Sequence, residues 1–248
     1  MRPETTRTRL LMTASAARLD DVPVLLRGEA RPIRGWMEQR SAPRLGLCLA
    51  VVIVGTGAFG AALGSWRAPE QALYTAIKLP LILLLTALGN GLLNAMLAPL
   101  LGLNISARQS LLAVLLSFTI AGAILGAFSP LLYFTVWNTP PLSAGTGSAH
   151  SAHSLILVIE TLMIAFAGVA ANVRLVQLLR ELSGSRAVAR KVPFAWLAGN
   201  LFLGSQLAWI LRPFVGSPGL PLEFLRPNAF DGTFYEALWQ HARHLLFP

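Results

Sequence analysis

Charge is scarce in this chain. Asp, Glu, Lys and Arg make up 12% of its 248 residues, against 54% apolar residues and a mean hydropathy of +0.60. A soluble domain carries about 25% charged residues, so this polypeptide could not cover its own surface in water. The same shortage excludes intrinsic disorder, which needs low hydrophobicity and high charge. A single cysteine, Cys48, excludes a disulfide scaffold. Enzyme signatures are missing too: there is no HExxH, no Walker phosphate loop, no GxSxG and no CxxC. Ser217, in GSPG, has no helix behind it to make a nucleophile elbow. No internal repeat and no inverted pair of broken helices is evident, so the best sequence pointer to a secondary transporter is absent.

What the chain does have is long apolar runs. A bilayer core about 30 Å thick takes roughly 20 apolar residues as a helix, and five stretches qualify: Leu45–Ser65, Leu73–Leu101, Ser110–Val136, Ser154–Leu179 and Pro193–Leu211. Lipid offers the backbone no hydrogen bonds, so each is expected to be helical. The second run is long enough to tilt or to kink at Pro80. The first begins after 44 mostly polar residues, so no secretory signal peptide is expected. The fold class that follows is all-α: a polytopic membrane protein built as a five-transmembrane-helix bundle. Residues 1–44 form a basic cytoplasmic or interfacial arm, 45–211 the helical domain, and 212–248 an outer tail rich in proline and aromatics.

Orientation follows from the net charge of +9 and its placement. Nine arginines precede Leu45; Arg108 lies between the second and third runs; Arg174, Arg180, Arg186, Arg190 and Lys191 lie around the fourth and fifth. With five spans these share one side. Arg67, Arg212, Arg226 and Arg243 fall on the other, with Lys78 near that face. The asymmetry places the N-terminus inside and the C-terminus outside, in a membrane expected to be the bacterial cytoplasmic (inner) membrane. Anionic headgroups are the simplest partner for the basic charge, and nucleic acid is not expected. In the N-terminal arm, Trp36 and Met37 could lie on lipid as part of an interfacial helix, or the arm could bind a partner.

Polar residues inside the spans are the candidate site. Glu160 and Lys78 lie at depth in the fourth and second runs. A charge there costs about 2.5–3.5 kcal/mol on insertion scales, so it faces protein or water. A Lys78–Glu160 ion pair is the economical expectation. Its roles divide among an internal clamp, a proton- or ion-coupled site, and contact with a neighbouring subunit. Asn90 and Asn94 lie one turn apart in the second run, Asn172 in the fourth, and Asn200 and Gln206 in the fifth. They can cross-link helices or line a polar conduit. Arg212, Arg226 and Trp239 are expected as interfacial anchors, with Glu223 a possible ion-pair partner for Arg212. The segment Asn138–His153 reads as a small, polar, flexible loop, and Phe234–Leu246 as a short amphipathic helix. His150, His153, His241 and His244 form two i, i+3 pairs that could in principle ligate zinc, copper or haem iron. No cysteine or carboxylate pattern completes a motif, so no metal and no cofactor is expected beyond lipid contacts.

Small residues recur at helix-packing spacing: Thr56, Gly60 and Gly64; Ala87, Gly91 and Ala95; Gly122 and Gly126; Ala167, Gly168 and Ala171; Ala195, Gly199 and Gly204. In lipid, where apolar burial drives little association, such stripes let helices approach closely. Packing within the chain is the simpler use, contact between copies the other.

The stretch Ile77–Leu131 combines a long span, a G-x-x-x-S-x-R-Q-S turn (Gly102, Ser106, Arg108, Gln109, Ser110) and a second span with a proline near its end. It resembles the bacterial branch of the Yip family, the Ypt/Rab-interacting membrane proteins, which share the five-span, N-inside arrangement. The resemblance implies a helical membrane protein whose eukaryotic relatives act in vesicle trafficking as scaffolds rather than enzymes, with no catalytic residues to carry over. Two functions are therefore expected: a non-enzymatic scaffold or accessory subunit of a larger membrane assembly, binding other membrane proteins or its own copies through helix faces and the outer tail, or a small-solute or ion channel or transporter using Lys78, Glu160, Asn90 and Asn94.

Overall fold

The computed structural model describes residues 42–100, 106–142, 146–183, 188–217, 219–237 and 239. The basic arm up to residue 41, with Trp36 and Met37, lies outside them, as do His241, His244 and the end of the amphipathic tail segment. The described residues include five long helices: α1 (Ala42–Gly64), α2 (Pro69–Leu100), α3 (Ala107–Trp137), α4 (Thr146–Ser183) and α5 (Val188–Leu211). All five are long and apolar enough to cross a membrane, and the described residues contain no strand. Large side chains point outward along them, including Leu92, Met96, Phe134, Leu162, Phe166 and Phe202. That apolar girdle would be unstable in water and suits lipid; the chain is an integral membrane protein. At about 1.5 Å per residue, α2 and α4 exceed the bilayer core and must tilt or protrude.

The polar segment before α4 is where structure and sequence part. The residues GSAHSAH read as flexible loop, yet the helix begins at Thr146. Ala149, Ala152 and Ile156 recur at helical spacing and are all buried, and the His153 ring packs 5.8 Å from Trp66. Small side chains fit close against the bundle, and that contact settles a segment whose composition alone reads as turn.

Helix α3 is the centre of the bundle: 56% of its most apolar stretch is buried, against 11% for α5. Helix α1 packs on α2 and α3, α4 lies mainly on α3, and α5 is held mainly by α2. Glycine makes the α1 contacts possible. A Cβ on Gly55 would overlap the backbone carbonyl of Gly122, and one on Gly126 would lie 2.9 Å from Gly55 Cα. Gly60 and Gly64 stand equally close to the backbone of Thr75 and Gln71. The small-residue stripes of α1 and α3 thus serve packing within the chain. Two apolar clusters fill the interior, one around Val52, Val114 and Trp196, the other around Phe59, Leu63, Leu132 and Ile156.

Helix ends and prolines are satisfied locally. The S-x-R-Q turn is a capping box: Ser106 Oγ accepts from Gln109 N, Gln109 Oε1 accepts from Ser106 N, and Ser110 Oγ donates to Gly91 O across to α2 at 3.0 Å. Pro130 cannot bond the Gly126 carbonyl, and Ser129 Oγ donates to it instead at 2.6 Å. Pro80 likewise frees the Ala76 carbonyl, which lies against Gly57 of α1. With an odd number of spans, the α1–α2 turn, the α3–α4 turn and the tail after α5 meet at one end. There Trp66 Nε1 donates to Pro140 O, and Arg67 Nη2 donates to Leu220 O at 2.9 Å.

Candidate functional site

A polar stripe runs the length of α2. Gln71, Thr75, Lys78, Thr86, Asn90 and Asn94 follow one another at steps of three or four residues, apart from the apolar turn at Ile82. They share one face, and every one is buried. Lipid would strand these groups, so the face turns inward, toward α5 and the tail. Gln71, Thr75 and Thr86 were missed by reasoning from composition; their signal was the helical repeat of polar positions through an otherwise apolar run.

The upper half of the stripe holds the tail. Helix α5 ends at Leu211 and Pro213 prevents its continuation, so the carbonyls that follow need donors from elsewhere. Helix α2 supplies them. Gln71 Nε2 donates to Pro213 O at 3.1 Å and to Phe214 O at 2.7 Å, and the Thr75 hydroxyl lies 2.6 Å from Phe214 O. Lys78 Nζ donates to Pro213 O at 2.9 Å and sits 5.1 Å from the centroid of the Phe224 ring. Further out, Gln206 Oε1 accepts from Phe234 N.

The expected Lys78–Glu160 ion pair does not form. The lysine ammonium is taken by the tail, which brings a carbonyl and an aromatic face into reach. Glu160, on α4, keeps Oε2 buried with no hydrogen-bond partner among the described residues. Sequence could not foresee this, because nothing in it says which neighbour of α2 the lysine faces.

The lower half of the stripe joins α2 to α5. Asn90 Nδ2 donates to Trp196 O at 3.2 Å and to Asn200 Oδ1 at 2.5 Å. Gly199 leaves room for it, since a Cβ there would collide with the Asn90 amide oxygen. The cross-linking role expected for Asn90 and Asn200 is thus what their geometry gives. Beside them, Thr86 Oγ1, Asn90 Oδ1, both polar atoms of Asn94, and Trp196 Nε1 are buried without a partner among the described residues.

The remaining candidates scatter. Arg212 donates to Trp209 O and lies over the Trp209 ring, 3.2 Å from its centroid. It forms no ion pair with Glu223 among the described residues, although both line one cavity at the tail end together with Arg226. Trp239 is 66% exposed, and Asn172 bonds its own helix backbone at Gly168 O. His150 and His153 lie on α4, and no group of three or more metal-ligating side chains occurs among the described residues.

No family model matches the chain, and comparison with curated proteins and with solved structures yields no match.

Proposed function

We propose that this protein is a non-enzymatic integral membrane scaffold or accessory subunit, placed in the bacterial inner membrane with its N-terminus inside and its C-terminus outside. The observation that carries the reading is Glu160. A carboxyl group within a span, buried at Oε2 and without a hydrogen-bond partner among the described residues, is costly in lipid unless a neighbour completes it. Beside this stands a groove of about 720 Å³ between α4 and α5, lined by Gly168, Val169, Asn172, Leu197 and Leu201 among others. Gly168 has open space where a Cβ would stand. The likeness of Ile77–Leu131 to Yip-family scaffolds agrees with this reading. The test is co-purification of the full chain in mild detergent, with mass spectrometry, for the native protein and for Glu160→Leu. A defined partner or self-association, lost in the variant, is the expected result; a solitary chain in both preparations refutes it.

A second reading, a channel or transporter, draws on the unmatched polar atoms of Thr86, Asn90, Asn94 and Trp196. Liposomes would then show solute or ion flux that falls in Asn94→Leu. Flux equal to that of protein-free vesicles refutes it.

A further inference from the structure

The tail end of the bundle holds an excess of positive charge around a cavity. The cavity, about 390 Å³, is lined by Arg212 and Arg226, by Ser217 and Asn228, by Glu223, and by an apolar rim of Leu220 and three prolines. That volume falls within the range of small-molecule sites, about 300–1,000 Å³. Two further cations stand behind its wall. Lys78 Nζ is bonded to Pro213 O and Arg67 Nη2 to Leu220 O, each a carbonyl of a lining residue. The bonds of Lys78, Arg67 and Arg212 all go to backbone carbonyls, not to carboxylates. Arg226 stands close enough to Arg212 for like charge to disfavour the pair. Two arginines thus share the cavity lining with one carboxylate, Glu223, and among the described residues neither is ion-paired. The surrounding tail is apolar and outward-facing, with Leu222, Phe224, Leu225 and Phe230 exposed, as suits a segment at the lipid interface.

We infer that this cavity binds a phosphate group, with Arg212 and Arg226 holding the phosphoryl oxygens, Ser217 and Asn228 as neutral donors, and the proline and leucine rim receiving whatever apolar chain the phosphate carries. Guanidinium groups match phosphate oxygens in paired geometry and stay charged at any working pH. A bound anion also relieves the repulsion between Arg212 and Arg226. The phosphate can belong to a lipid headgroup or to a soluble ester; the chemistry of the site is the same. The inference does not rest on the scaffold reading, and survives if Glu160 binds no partner.

The test uses the full chain in dodecyl maltoside. Binding is measured for dioctanoyl phosphatidic acid, for dioctanoylglycerol, which lacks the phosphate, and for glycerol phosphate. Phosphatidic acid is expected to bind at least about tenfold more tightly than dioctanoylglycerol, the scale of a charge-assisted contact. Arg226→Gln removes that advantage, Arg226→Lys keeps most of it, and Arg174→Gln, at the opposite end of the bundle, leaves it intact. Should Arg226→Gln fail to fold, Asn228→Asp, a change at an exposed position, sets a carboxylate in the cavity and is expected to weaken phosphatidic acid alone. Glycerol phosphate that displaces phosphatidic acid at similar concentration identifies a soluble ester as the ligand; displacement only by acylated phosphate identifies a lipid. No advantage of phosphatidic acid over dioctanoylglycerol overturns the inference, as does an advantage unchanged in Arg226→Gln or Asn228→Asp.

Discussion

Asn90 and Asn94 sit one turn apart on the same buried face of α2, and the structure assigns them opposite effects on stability. Asn90 spends its amide on α5, donating to Trp196 O and Asn200 Oδ1. Replacing Asn90 with Ala removes both bonds and strands the Asn200 oxygen, at a cost of about 1–3 kcal/mol. Part of that is the Asn90–Asn200 coupling itself. Hydrogen bonds between membrane helices average about 0.6 kcal/mol and reach about 1.7, so a double-mutant cycle of Asn90→Ala with Asn200→Ala should return a coupling in that range. Asn94 has no partner for either polar atom among the described residues and is 1% exposed. Leucine has nearly its shape and nothing to desolvate, so Asn94→Leu should stabilise by about 1 kcal/mol. The assay is reversible unfolding in mixed micelles as the denaturing detergent fraction rises, followed by far-UV circular dichroism. A coupling indistinguishable from zero refutes the α2–α5 cross-link. A strongly destabilising Asn94→Leu refutes the claim that this amide stands unmet, and shows that water or another chain bonds it.

Gly55→Ala drives a methyl group into the Gly122 carbonyl and forces α1 off α3; overpacking of this kind costs about 1–3 kcal/mol, read in the same unfolding assay, whereas Gly147→Ala, with open space around it, should be close to neutral. Ser106→Ala removes the oxygen that accepts from Gln109 N and should cost about 1 kcal/mol of stability, with Ser106→Asp restoring most of it. Gln71→Leu removes the amide that donates to two tail carbonyls. It should speed hydrogen exchange or proteolysis across residues 214–225 by about tenfold, the kinetic reading of roughly 1.4 kcal/mol, while α3 keeps its protection.

Much of this architecture was legible in one dimension. Five apolar runs became five helices, with ends moved by a few residues except where α4 began early at Thr146. The physical reason is that lipid leaves a long apolar segment one solution, a helix. The capping box at Ser106–Gln109 was equally local, so the S-x-R-Q turn has a plain structural use. Gly122 and Gly126 could be picked out as contact residues, though their partner, Gly55, could not.

Composition and order by themselves determined the solvent, the helical class, the number of spans and which residues are polar at depth, because each depends only on a residue's own chemistry and its near neighbours along the chain. Only the tertiary structure decided who meets whom. It gave Lys78 to the tail carbonyl and Phe224 rather than to Glu160, joined Asn90 to Asn200 while leaving Asn94 unmet among the described residues, and gathered Arg67, Lys78, Arg212 and Arg226 from three parts of the chain about one end of the bundle. Those pairings depend on the rotation of each helix about its axis, and that rotation is set by where glycine lets backbones touch.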